Sequence, residues 1–253
     1  MGNNIRRGFT LIELLVVIAI IAVLMGIMVP VLARSKDRAN RLLCISNIRQ
    51  CYNAGYLYAS DYNDYLPMGN IWNDQTQPEG WTDMNFATCL ILNQQYALTP
   101  EIGMCTSWKK WQDEFFKEPP QFDDSNFKLG GTLVGYIYYG RRFDKAGSPY
   151  SPKLEDGTIY KTPVKASDGG NSITSGTVMS CFHWDTVSTG GNWGAKMPHI
   201  QNGIGQIYEP GVKRLDPKPE GLCISKLDGS GGWTKFKRLE PVTQGNVRFY
   251  FSR

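Results

Sequence analysis

Twenty-five residues, Phe9 to Ala33, carry one ionisable side chain between them, Glu13. As an α-helix rising about 1.5 Å per residue, this run is ~37 Å long. A bilayer core of about 30 Å needs ~20 such residues, so the pattern predicts a helix able to span a membrane. Beyond it, the apolar positions become periodic. Ala39, Leu42, Ile45, Ile48, Tyr52, Tyr56 and Ala59 recur every three or four residues, as on one face of an amphipathic helix. Pro30 is expected to kink or locally break this helix rather than end it. The stretch Asp61 to Pro67 (DYNDYLP) supplies turn residues and a proline. The helix is therefore predicted to end near Asp61, after roughly 50 residues.

From about Tyr62 onward Gly, Pro, Asn, Asp and aromatic residues dominate, and long helical periodicity is lost. A short helix is predicted over Phe86 to Gln95. Candidate strands are Thr132 to Tyr139, Thr177 to Phe182, Leu222 to Leu227 and Trp233 to Leu239. Asp228 to Gly232 (DGSGG) joins the last two as a hairpin longer than the two-residue ideal. Val247, Phe249 and Phe251 alternate with Arg248 and Tyr250, which predicts a final strand. The expected fold is α+β: a long N-terminal helix whose second half carries an antiparallel sheet. Ile45, Ile48 and Tyr52 are expected to bury against that sheet.

Glu13 is the anomaly in the apolar run. A carboxylate inside a membrane helix costs about 2.5–3.5 kcal/mol on insertion scales, so it calls for a partner. The order Arg6-Arg7-Gly8-Phe9, then Glu13, then Pro30 near the far end of the run, resembles the N-terminus of type IV prepilins and type II secretion pseudopilins. That resemblance implies cleavage between Gly8 and Phe9 by a prepilin peptidase, and N-methylation of Phe9. It implies a filament in which Glu13 of one subunit meets the Phe9 amine of another, so that each charge offsets the other's desolvation and one stagger is selected. The implied organisation is a leader (residues 1–8), a transmembrane and polymerisation helix (9–33), an amphipathic continuation (34–61) and a globular head (62–253). The implied partners are other pilin-like subunits, identical or different, the peptidase, an inner-membrane assembly platform and membrane lipid. The implied location is the bacterial inner membrane in a single pass, N-terminus cytoplasmic and head outside, followed by a periplasmic or extracellular filament. Cys44 to Pro67 and Gly221 to Phe236 further resemble the branch of this family with a large, loop-rich head. Residues 68–215 match no pattern.

Two other readings compete for the N-terminus. One is a plain signal anchor with Glu13 snorkelling to the interface. The other is a secretory signal peptide, for which Val31-Leu32-Ala33 has suitable spacing. Its apolar region, however, exceeds the usual 7–15 residues and contains Glu13.

Charge narrows the function. The formal net charge of +4 falls to +2 once Arg6 and Arg7 leave with a leader. This gives a nucleic-acid partner no electrostatic support. Arg34, Lys36, Arg38, Arg41 and Arg49, against Asp37, read as a solvated face near lipid headgroups; DNA uptake is the sharper alternative. Because more positive charge follows the span than precedes it, charge counting leaves orientation open.

Six cysteines remain to be placed: Cys44, Cys51, Cys89, Cys105, Cys181 and Cys223. Cys44 and Cys51 lie about 10.5 Å apart along one helix, too far for a bridge. Cys181 with Cys223, joining two candidate strands, is the expected disulfide. Without a C-x-x-C spacing, structural zinc is not expected. Asp61, Asn63 and Asp64 are weak calcium candidates that lack the glycine and distal glutamate of an EF-hand, and they read first as a helix-ending turn. Asp168 with Gly169-Gly170-Asn171-Ser172 likewise reads as a turn. His183 and His199 have no neighbour at metal spacing, Asp123-Asp124 reads as a solvated loop, and no phosphate-binding glycine loop is present. No catalytic residue and no cofactor are expected. The rival function is a membrane-anchored carbohydrate- or ligand-binding protein, motivated by seven dispersed tryptophans.

Overall fold

The structure, a computed structural model, describes residues 10–69, 83–84, 86–99, 101–103, 105–106, 132–133, 136–138, 140–141, 162–170, 177–181, 185–186, 196–197, 206–207, 220–235, 238–244 and 247–252. Helix α1 (Leu11–Asp61) runs 51 residues without interruption and includes Pro30. As expected, Pro30 does not end the helix, and the local break that was the alternative to a kink does not occur.

The first turn of α1 is closed by a reciprocal cap. Glu13 N–H donates to Thr10 Oγ1 at 3.3 Å, and Glu13 Oε2 accepts from Thr10 N–H at 2.8 Å. Two of the helix's otherwise orphaned donors are thereby satisfied. The last turn closes through Tyr62 N–H, which reaches the Tyr58 and Ala59 carbonyls at 3.0 and 3.2 Å. Asn63 and Asp64 then take positive φ of 52° and 69°. This left-handed step is tolerated best by Gly, Asn and Asp, and it turns the chain away from the axis.

The buried face of α1 is Cys44, Ile48, Cys51, Tyr52, Ala54, Tyr58 and Ala59. It overlaps the expected stripe only in part. Ile48, Tyr52 and Ala59 are inside, whereas Leu42 and Tyr56 are 67% and 50% exposed. The face is rotated because cysteine packs as a small hydrophobe, and Cys44 and Cys51 fill positions that the apolar pattern left out.

A second helix, α2 (Phe86–Tyr96), packs on α1. Cys89 and Leu92 are fully buried. Tyr96 lies edge-on to Tyr58 at 6.0 Å, and its hydroxyl donates to Asp61 Oδ2 at 2.7 Å.

The strands, in chain order, are β1 (Asp83–Met84), β2 (Thr132–Leu133), β3 (Tyr136–Tyr138), β4 (Thr177–Cys181), β5 (Asp185–Thr186), β6 (Lys196–Met197), β7 (Gln206–Ile207), β8 (Gly221–Lys226), β9 (Gly231–Lys235), β10 (Leu239–Gln244) and β11 (Val247–Ser252). The main sheet is antiparallel in the order β3-β4-β8-β9, and α1 packs across β4, β8 and β9. A three-stranded antiparallel sheet has the order β10-β11-β5, and β1-β2 and β6-β7 are short pairs.

The predicted strand over Thr132 to Tyr139 is divided into β2 and β3, which belong to different sheets. The hairpin turn is also tighter than expected. Gly231 and Gly232 are inside β9, opposite Ser225 and Ile224. The turn closes through Gly229 N–H to the Lys226 carbonyl (3.0 Å) and Lys226 N–H to the Ser230 carbonyl (2.8 Å). Gly229 has φ +79°, which a side chain would strain. Gly231 serves helix–sheet approach instead: a Cβ there would lie 2.8 Å from Arg49 Cγ, whereas one on Gly232 would meet nothing within 4 Å.

Candidate assembly helix and buried thiol cluster

The first half of α1 is exposed among the described residues. Leu11 is 84% exposed, Ile18 57% and Leu32 70%. This half is long and apolar enough to cross a membrane, and none of its apolar window is buried. Burying each Leu, Ile or Val would contribute about 1.5–3 kcal/mol, so a contiguous apolar cylinder of this kind needs lipid or other helices around it. Glu13 sits in its first turn, exposed, with its carboxylate held by the Thr10 N–H and, at 2.9 Å, the Thr10 hydroxyl. Gly8 and Phe9 lie outside the described residues.

The second half of α1 is clamped to the head. Arg49 Nη2 donates to the Gly231 carbonyl at 2.8 Å. The Tyr52 hydroxyl donates to the Leu227 carbonyl at the hairpin turn. Thr106 Oγ1 donates to the Asn40 carbonyl at 3.0 Å. Arg41 pairs with Glu220 and lies over the Trp233 ring, 4.5 Å from its centroid. Of the basic residues expected to face headgroups, Arg34, Lys36 and Arg38 are exposed, whereas Arg41 and Arg49 serve the helix–head junction. Trp233 also lines a depression of about 430 Å³ beside Lys226, Thr234 and Arg238. Trp72, Trp81, Trp108, Trp111, Trp184 and Trp193 lie outside the described residues, as do His183, His199, Asp123 and Asp124.

Beneath this junction the cysteines gather. Cys44 Sγ on α1 lies 3.2 Å from Cys181 Sγ on β4 and 3.6 Å from Cys105 Sγ in the segment after α2. Cys105 and Cys181 Sγ are 3.9 Å apart. Cys223 on β8 completes the group, its sulfur interacting with Cys181 and Cys44. All four are fully buried. The Tyr136 hydroxyl stands 3.7 Å from Cys44 Sγ. Contact with Cys181, then with Cys44, pulls the Cys223 thiol down to about 6, while burial pushes Cys181 well above the ordinary thiol range. Burial likewise pushes Cys51 up, where its Sγ reaches the Ile102 carbonyl at 3.5 Å.

Cys181 and Cys223, the pair expected to form a disulfide, are in contact through their sulfurs. The two do sit on paired strands, with Ser180 opposite Ile224. But Cys181 has Cys44 and Cys105 as neighbours too, so its sulfur belongs to a group and not to a pair. Asp61, Asn63 and Asp64, read first as a helix-ending turn, lie in the turn that closes α1. Asp61 accepts from Tyr96, whereas Asp64 accepts from the Ser167 hydroxyl and backbone N–H. Each carboxylate closes a different tertiary contact, so they do not converge on one ion. Asp168 caps its own turn, its Oδ2 accepting from Val164 and Lys165 N–H at 2.9 and 2.8 Å.

The exposed apolar helix carries a known N-terminal motif. Residues 3–29 match the family described as the prokaryotic N-terminal methylation motif, a span that holds Gly8, Phe9 and Glu13. Over 59 residues the chain is 41% identical to the type IV wide pilus major component PilA4 of Thermus thermophilus, covering 23% of this chain and 45% of that protein. Over 60 residues it is 42% identical to the type II secretion system core protein G of Pectobacterium carotovorum (24% and 38% of the two chains) and to that of Escherichia coli K12 (24% and 41%). The match therefore spans less than half the length of these relatives. No solved structure matches the chain.

Proposed function

We propose that this chain is a structural subunit of a type IV pilus-like or type II secretion pseudopilus filament. The observation that carries the reading is an apolar helix with the methylation motif, exposed along its first half and interrupted only by Glu13. In this reading residues 1–8 are a leader removed by a prepilin peptidase between Gly8 and Phe9. Residues 9–33 insert in the inner membrane and later pack helix against helix in the filament core. Residues 34–61 carry the head, residues 62–253, outside the cytoplasm.

Cleavage creates a cationic amine on Phe9, four residues before Glu13. The Thr10 cap holds the Glu13 carboxylate at the helix end, where the amine of a staggered neighbour can reach it. The pair lowers the cost of burying either charge and selects one register, because other staggers leave both charges without a partner. The chain's role is assembly and not catalysis.

Intact-mass and N-terminal peptide mass spectrometry of the protein from its native membranes tests the reading. The expected mature chain begins at N-methylated Phe9. A start at Arg34 would make it a secreted domain, and an intact Met1 a simple anchor; either result rejects the filament assignment.

A further inference from the structure

We infer that Cys44, Cys105, Cys181 and Cys223 form a structural thiolate site for a metal ion of the zinc class, which fastens the helix to the head. The sulfurs come from four separate elements: α1, the segment after α2, β4 and β8. Three of them form a closed triangle with edges of 3.2, 3.6 and 3.9 Å. A tetrahedral zinc with Zn–S bonds of about 2.3 Å requires S···S edges of about 3.8 Å. A point about 2.3 Å from all three sulfurs lies roughly 1 Å out of their plane, which is the stance of an ion on a three-sulfur base. Cys223 interacts with Cys181 and Cys44 but stands outside the mutually close group of three, so it becomes the fourth ligand by a side-chain rotation that brings its sulfur over the base.

A disulfide explains this geometry less well. It joins two sulfurs at about 2.05 Å and has no use for a third at contact distance. Simple core packing explains it less well too, since three chain-distant thiols around one point, with a fourth beside two of them, are a soft-ligand set rather than a random apolar one. The Tyr136 hydroxyl beside Cys44 Sγ is placed to donate to a thiolate, as outer-shell groups commonly do. On binding, the ion takes four thiolates and the four thiol protons leave to solvent. The site ties together residues far apart in the chain without the C-x-x-C spacing by which such sites are usually read. It is independent of the filament reading, and failure of one leaves the other standing.

The test uses the full chain, purified in detergent without chelator or reductant from zinc-supplemented cells. Elemental analysis is expected to find about one zinc per chain, released by a thiol-modifying reagent. After exchange with cobalt chloride, the protein is expected to show sulfur-to-cobalt charge-transfer bands and the intense d–d bands of tetrahedral thiolate coordination. Cys105→Ser is expected to lose the metal, and Cys89→Ser, outside the cluster, to keep it. Because Cys105 is a fully buried core residue whose replacement also perturbs packing, the wild-type cobalt spectrum decides. Metal-free protein with a disulfide among these four cysteines in non-reducing peptide maps would overturn the site. Reduced thiols that take up neither zinc nor cobalt would also overturn it.

Discussion

Glu13 shows how one side chain can serve two structures. Within the chain it completes the cap with Thr10, and in the proposed filament it is the charge that fixes stagger. Glu13→Val removes a membrane penalty of about 2.5–3.5 kcal/mol, so the variant is expected to insert at least as well as the parent. It is expected to assemble poorly, because one stagger is no longer distinguished from the next. Undiminished filaments in electron micrographs of that variant would show that register has another source. Asp228 acts more locally. Its carboxylate is hydrogen-bonded by the Ser230 side chain and by Ser230 N–H (2.8 Å), which hold its pKa below the usual Asp value. A depressed carboxylate stabilises the fold above its unfolded pKa of about 3.9, and that contribution is lost as pH falls through the lower folded value. Asp228→Asn is therefore expected to lower stability at neutral pH, where the contribution of the carboxylate is fully present, and to converge with the parent at low pH, which flattens the acid limb of a stability–pH curve.

At the scale of elements, the β8–β9 hairpin is the part that grips α1. Its turn receives the Tyr52 hydroxyl on the Leu227 carbonyl, and its second strand receives Arg49 on the Gly231 carbonyl. Gly229 makes the turn possible with φ +79°, and a Cβ there would also meet the Tyr52 ring at 3.2 Å. Gly229→Ala is expected to cost about 1–2 kcal/mol in chemical denaturation of the detergent-solubilised chain. Gly229→Asn should cost less at the backbone, because Asn tolerates the left-handed region. Equal stability of the alanine variant and the parent would mean that the turn rearranges freely. Helix α2 grips the other end of α1 through Tyr96 and Asp61.

For the whole molecule, the core begins at Cys44; every buried residue of α1 lies at or beyond it. A chain starting at Arg34 keeps every buried residue of α1, and the described residues it discards, 10–33, are all exposed. It is expected to be soluble and monomeric, with the thermal midpoint of the full-length head. Loss of the cooperative transition in that truncation, followed by circular dichroism, would show that the apolar half supports the head after all.

How much of this was legible in the sequence differs between the two halves of the chain. Hydrophobic run length and 3.6-residue spacing are local properties, so the apolar segment, its extension to Asp61 and the helix at Phe86 could all be read from composition and period. So could the strands β4, β8 and β11, because alternation and flanking turns are also local. The motif at Gly8, Phe9 and Glu13 is linear, and the N-terminal comparison matches the same span. What only tertiary structure decided depends on distant residues meeting. The split of Thr132 to Tyr139 between two sheets, the rotation of the buried face towards Cys44 and Cys51, and the placement of Gly231 against Arg49 all follow from partners far along the chain. The thiol cluster is the clearest case. Cys44 and Cys105 are separated by 61 positions and Cys44 and Cys181 by 137, so no spacing rule links them. Packing of one helix across an antiparallel sheet brings their sulfurs within 4 Å because each lies on the face its own element buries.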